Sequence, residues 1–189
     1  MLSEFVSKMN EKAKALGLKD TNFINSYGLD ADGHLTTAYD IAVMSSELIK
    51  HKLIRDYSTI KMDSLRNGES QLVNTNKLVR FYSGTTGLKT GTTAKAGCCI
   101  SASAKRDGLH LVAVVMGSAT SDERFNSAKA MLNWGFSNYV CFKPKIDTTS
   151  IEKIPVQKGK LPFVETEIPE ITSIALKKGE EIGVVVKIE

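Results

Sequence analysis

The chain has no apolar run long enough to cross a bilayer: the longest, Leu111 to Met116, is six residues, against the roughly 20 that a spanning helix needs. Met1 is followed at once by an amphipathic pattern containing acids and lysines, not by the basic start and apolar stretch of a signal peptide, so the sequence predicts a soluble chain. Cysteine is scarce: there are three, an odd number, with Cys98 and Cys99 adjacent, which is a poor disulfide framework. On a strand, adjacent side chains point to opposite faces, so this pair could not grip one metal ion, and the expectation is buried free thiols. His34, His51 and His110 have no metal-ligand spacing among themselves or with the cysteines, so neither a metal nor a cofactor is expected. An excess of one charge is also missing. The 25 Lys and Arg against 21 Asp and Glu leave +4, spread along the chain, a balance that does not point to nucleic acid.

With 189 residues and 42% hydrophobic, the chain can bury one core of ordinary size and a small appendage. Leu2, Phe5, Val6, Met9, Ala13 and Leu16 fall at helical spacing and Gly17 is a natural stop. A helix opening at residue 2 without a lead-in predicts that Met1 begins inside a larger fold. A loop rich in Asn, Gly and Asp runs from Asp20 to Gly33, and Thr37 can cap a second helix with Ala38, Ile41, Ala42, Ser45, Leu48 and Ile49 on its inner face. From Tyr57 to Val79 the texture is mixed, with a turn at Asn67-Gly68 between two extended pieces. Cys99 to Ala104 alternates Ile100, Ala102 and Ala104 with Cys99, Ser101 and Ser103, and Asp107-Gly108 turns the chain into Leu109 to Met116, an antiparallel hairpin. Thr120 and Glu123 form a capping box for a third helix that ends near Tyr139. After Phe142 all four prolines, Pro144, Pro155, Pro162 and Pro169, interleave with short Val and Ile runs, and Glu181 to Ile188 is a last apolar run. This predicts two regions, 1–142 and a β-rich 143–189.

The chemistry concentrates in Ser83-Gly-Thr-Thr-Gly-Leu-Lys-Thr-Gly-Thr-Thr93. A phosphate-binding P-loop needs lysine directly after its second glycine and a helix beyond it; here Leu88 intervenes and a strand follows, which argues against phosphate. The remaining reading puts Lys89-Thr90-Gly91 on an edge strand lining a cleft, with Lys89 and Gly91 on one side and Thr90 on the other. Glycine admits a ligand close to the backbone, a strand edge offers free N–H groups, and a lysine and a hydroxyl suit a peptide carboxylate. By itself the triplet reads more readily as a solvated turn.

Wider segments decide between these. Lys-Thr-Gly is one of three motifs of class A β-lactamases and penicillin-binding proteins, beside Ser-x-x-Lys and Ser-Asp-Asn. Asn25-Ser-Tyr-Gly-Leu-Asp30, Leu35-Thr-Thr-Ala-Tyr-Asp-Ile-Ala42, Asn74-Thr-Asn76, Gly87 to Gly97 and Leu132-Asn-Trp-Gly-Phe136 resemble, in order, segments of low-molecular-mass D-alanyl-D-alanine carboxypeptidases. The resemblance covers about Leu2 to Tyr139, and the tail is similar to the start of that family's β-rich C-terminal domain. It implies an α/β (α+β) penicillin-binding architecture, an antiparallel sheet flanked by helices and incomplete at the N-terminus. It also implies acylation of a serine during removal of the terminal D-alanine from peptidoglycan stems, β-lactams as ligands of the complete enzyme, and a parent protein in the bacterial envelope, on the outer face of the cytoplasmic membrane. By the same resemblance Lys89 is the motif lysine, Thr90 the hydroxyl at the substrate carboxylate, Gly91 the close approach, the Thr92 N–H an oxyanion donor, and Arg124 a carboxylate-holding guanidinium. By position alone, Arg124 reads as a solvated helix residue.

The chain also departs from the family pattern. No Ser-x-Asn triplet occurs, and the two Ser-x-x-Lys strings, Ser58 to Lys61 and Ser150 to Lys153, lie in a mixed segment and in the proline-rich tail. The motif needs a helix that puts serine and lysine on one face. The expectation is therefore a chain without its nucleophile, inactive alone, whose incomplete core favours poor solubility or dimerisation. A complete but non-catalytic peptide-binding or scaffold module is the alternative.

Overall fold

The computed structural model describes residues 2–144, 154–159, 163–164 and 172–180. Two compact units are present, Met1–Ser137 and Asn138–Glu189.

The first unit is organised by a three-stranded antiparallel sheet, β3 (Thr85–Thr93), β4 (Gly97–Arg106) and β5 (Leu109–Ser118), in the order β3-β4-β5. The expected β4–β5 hairpin is present, with Asp107 and Gly108 both at positive φ, 47° and 83°, the conformation a two-residue turn between twisted strands requires. The alternation read from the sequence produces two different faces. Ile100, Ala102 and Ala104 bury against Leu78, Phe125, Ala128 and Leu132 of the short helix α4 (Leu78–Phe81) and the long helix α5 (Ser121–Asn138), forming the main core. Leu111 extends this face, close enough to Gly135 that a methyl on the glycine would stand 2.6 Å from Leu111 Cδ1.

The opposite face is polar at its centre. Ser101 reaches Ser45 of α2 (Ala38–Leu48), Oγ to Oγ 2.6 Å, and α3 (Lys52–Ser58) packs beside β3. Helices thus cover both faces of the sheet. The first helix, α1 (Leu2–Ala15), is tied to the following loop by Asn10, whose side chain bonds the Phe23 backbone at both N–H and carbonyl, each 2.8 Å. Thr37 caps α2 by accepting from the Asp40 N–H at 3.1 Å, as expected. Thr120 and Glu123 form the reciprocal capping box of α5 at 3.1 and 3.2 Å.

The mixed segment resolves into α3, then the hairpin β1 (Met62–Leu65) and β2 (Ser70–Val73) around Arg66–Gly68, then α4. The Asn67-Gly68 turn is where the sequence placed it. Cys98 and Cys99 are free as expected but only half-buried, as is Cys141. Cys98 and Cys99 pair with Thr92 and Gly91 at the start of β4, next to the exposed 94–96 turn.

In the second unit β6 (Tyr139–Phe142) pairs antiparallel with β9 (Ile174–Lys177), and β7 (Ile154–Pro155) with β8 (Phe163–Val164). The apolar run from Glu181 to Ile188 lies outside the described residues.

Candidate functional site

Among the described residues β3 pairs with β4 only, so Lys89-Thr90-Gly91 does lie on an edge strand. Antiparallel pairing sets Lys89 opposite Ser101, Thr90 opposite Ile100 and Gly91 opposite Cys99. Lys89 and Gly91 consequently share the polar face and are exposed, while Thr90 turns inward and is 8% exposed. The Thr90 hydroxyl lies 2.8 Å from that of Thr75, in the Asn74-Thr-Asn76 segment before α4, so it anchors the strand from behind. No sequence signal announces this contact, because two threonines fifteen residues apart share no periodicity.

A methyl built on Gly91 would meet nothing within 4 Å, and its backbone is not in the left-handed region. Packing of this chain does not demand glycine here. What the residue leaves is free approach to the strand backbone.

Arg124 is not a solvated helix residue. It is 6% exposed, and from the first turn of α5 its Nη1 donates to the carbonyls of Gly91 and Cys99, both at 3.1 Å, and to Thr92 Oγ1 at 3.3 Å, while Nη2 reaches Ser121 Oγ at 3.0 Å. A buried guanidinium is stable only when its donors are used, and here Nε alone has no partner among the described residues. Gly91, Thr92 and Arg124 are thus one constellation at the end of the cleft strand. Just beyond it, Thr93 Oγ1 donates to Asp30 Oδ1 at 2.7 Å, so the loop carrying Asn25 to Asp30 clasps the β3–β4 turn.

On the open side, Lys89 and Ser101 help line a cleft of about 550 Å³ together with Phe5, Met9, Phe23, Met44 and Leu48. A hollow of about 240 Å³ continues along Lys89, Gly91, Cys99 and Met116. Neither holds Ser58. Ser58 closes α3, and its hydroxyl donates to the Thr86 carbonyl at 2.8 Å; the helix ends there, so Lys61 does not share a helical face with it. Ser150 lies outside the described residues.

The profile of the D-alanyl-D-alanine carboxypeptidase family matches residues 2–120. The chain belongs to this family. The carboxypeptidase DacF of Bacillus subtilis is 43% identical over 187 residues, which are 97% of this chain and 48% of that protein. DacC of Escherichia coli is 31% identical over 206 residues, 96% of this chain and 51% of that protein. The chain spans about half the length of these curated relatives. Among solved structures, penicillin-binding protein 5 of Haemophilus influenzae superposes with a TM-score of 0.75 at 29% identity, over 94% of this chain and 52% of that one. Penicillin-binding protein D2 of Listeria monocytogenes, in a cefotaxime-bound form, gives 0.65 at 33% identity over 71% and 56%. The expected penicillin-binding fold, mixed helices and antiparallel sheet, is therefore the fold of this chain.

Proposed function

We propose that this chain forms the substrate-holding side of a serine-type D-Ala-D-Ala carboxypeptidase, which removes the terminal D-alanine from peptidoglycan pentapeptide stems through an acyl-enzyme, and that the chain alone does not turn over. The observation that carries the reading is Arg124: a buried guanidinium held on Gly91 and Thr92 brings fixed positive charge to the exposed edge that also presents Lys89. In this reading the stem peptide lies along β3 as an added strand, its backbone meeting the free edge. Its terminal carboxylate is drawn by the Lys89 ammonium and by the charge of Arg124, whose fork is itself spent on Gly91, Cys99, Thr92 and Ser121. Thr90 supports that contact from behind the strand, and Gly91 leaves room for the peptide. The Thr92 N–H donates to the oxygen that becomes negative as the scissile carbonyl is attacked, a contribution whose loss typically costs about 100 to 1,000-fold in rate. No metal or cofactor enters this chemistry.

The attacking serine is supplied by neither Ser-x-x-Lys string. Ser58 spends its hydroxyl on Thr86 and has no lysine on its helix face to act as base. Removing a nucleophile leaves only binding and oxyanion stabilisation. In the complete enzyme β-lactams would occupy the same strand, and the parent would work on the outer face of the cytoplasmic membrane. The first region, 1–142, is the catalytic-domain part and 143–189 the start of a β-rich domain. The largely apolar cleft between α1, α2 and the sheet supports dimerisation of the isolated chain.

Intact mass spectrometry after incubation with excess benzylpenicillin tests this reading, with Ser58→Ala and Ser150→Ala variants in parallel. No adduct is expected, and no D-alanine release from a pentapeptide. An adduct that disappears in one variant would place the nucleophile in this chain and overturn the assignment.

A further inference from the structure

The face of the sheet that presents Lys89 carries a polar cluster built from all three strands. Thr86 of β3 has its Oγ1 2.7 Å from His110 Nε2 of β5 and 2.8 Å from Ser103 Oγ of β4, and Ser103 is fully buried. From α3, Ser58 donates to the carbonyl of the same Thr86 at 2.8 Å. The cluster sits where the ladder is irregular. The β3–β4 register shifts between Thr85 and Gly87, and Gly87 has φ +136°, with Ser58 Oγ only 2.5 Å from where a methyl would stand. Side-chain hydroxyls therefore supplement the ladder at the start of β3, where pairing skips Thr86. Three residues later the strand delivers Lys89.

A threonine hydroxyl has one proton to give and lone pairs to accept with. In the neutral Nδ1–H tautomer of His110, whose Nε2 carries no proton, Thr86 donates to the ring and can accept from Ser103. Beside an imidazolium, the ring N–H donates to Thr86 instead, so one added proton reverses the bond to the ring and releases the Thr86 proton to turn to Ser103. The surroundings oppose that proton. Burial disfavours the charged ring most, followed by Lys105, the register partner of His110 on β4, and Arg55 on α3, so the ring titrates below its ordinary value. From β3 the facing group is the neutral Thr86. On α2, which also packs on β5, Asp40 is engaged by Thr21 and the Asp20 N–H, and Glu47 by Lys50. Helix α5 covers the other face, against Leu111.

We propose that His110 is a positioning residue that fixes the bulged start of β3, and with it Lys89, only while its imidazole is neutral, so that peptide binding to the strand weakens as the ring takes up a proton. This rests on the reading of β3 as the peptide-binding strand, and the test separates the two. Two-dimensional NMR of the full chain from pH 7.5 to 5 follows the His110 ring and the amides of Lys89, Thr90 and Gly91, with and without an N-acetylated L-Lys-D-Ala-D-Ala tripeptide. In the wild type the strand amides should move with the His110 titration, and tripeptide affinity should fall several-fold over the same range. His110→Gln, which keeps a neutral hydrogen-bonding ring substitute, and Thr86→Val should abolish the pH-linked shift, whereas Thr86→Ser should retain it. Strand amides that ignore the His110 titration, or an unchanged pH-linked shift in both His110→Gln and Thr86→Val, would overturn the proposal. Absence of tripeptide binding at every pH would instead overturn the reading of β3, while the amide shifts still decide the coupling.

Discussion

The guanidinium of Arg124 donates to the carbonyl of Gly91 at 3.1 Å, tying the first turn of α5 to the last residue of the Lys-Thr-Gly triplet. Its second carbonyl acceptor, Cys99 O, belongs to the neighbouring strand, so a single side chain fastens helix, β3 and β4 together. Truncation orphans those acceptors at a cost of about 1–3 kcal/mol each, with some relief from entering water. Arg124→Ala is expected to lower stability by about 2–4 kcal/mol in urea unfolding. Arg124→Lys should lose less, because an ammonium keeps the charge but cannot bridge several acceptors as the planar fork does. An Arg124→Ala variant as stable as the wild type would show that the guanidinium is not part of the fold.

Gly135 predicts the reverse of the usual helix rule. Alanine normally stabilises a helix interior by roughly 0.5–1 kcal/mol over glycine. Here the added methyl would stand 2.6 Å from Leu111 Cδ1, inside the core face. Leu111 Cδ1 ends a half-buried side chain that can turn aside, so Gly135→Ala should destabilise by no more than about 1 kcal/mol. The double variant with Leu111→Ala should recover part of that loss, which a thermal double-mutant cycle reads directly.

The capping box of α5 gives a smaller, cleaner effect. Thr120 accepts from Glu123 N–H at 3.2 Å and Glu123 returns the bond to Thr120 N–H at 3.1 Å. Thr120→Ala should cost about 1 kcal/mol, and Thr120→Ser close to nothing, in the same unfolding assay. Because α5 positions Arg124, the alanine variant should also weaken tripeptide binding modestly.

Much of this was legible because it rests on local patterns. The alternation from Cys99 to Ala104, the Asp107-Gly108 turn and the Thr120/Glu123 box each involve residues close in sequence, and each formed as read. Helix α3 was not read: its apolar residues are only Leu53, Ile54 and Tyr57, and His51 makes no side-chain capping bond. Arg124 could be assigned from resemblance but not from its position, since only the packing of α5 on the ends of β3 and β4 brings it to Gly91 and Cys99. The Thr86–His110 pair spans 24 residues and exists only through strand register. Likewise the thiols of Cys98 and Cys99 were expected to be buried, because alternation specifies a face but not how deeply it is buried.

The depressed titration of His110 also sets a stability window. A histidine whose folded pKa lies below its unfolded value near 6.5 takes up its proton more readily when unfolded. Stability is then fully present above the unfolded value, falls as the pH drops through it, and levels off below the folded pKa. Glu47 acts in a different range: its carboxyl is held low by Lys50, so its contribution is lost only on further acidification, below the usual carboxylate value. Urea midpoints at pH 7.5, 6.5 and 5.5 should decline for the wild type and stay flatter for His110→Gln, with Glu47→Gln behaving as the wild type across that interval. A His110→Gln variant with the same decline would move the titrating group elsewhere, since only a ring that is neutral when folded and charged when unfolded gives that slope.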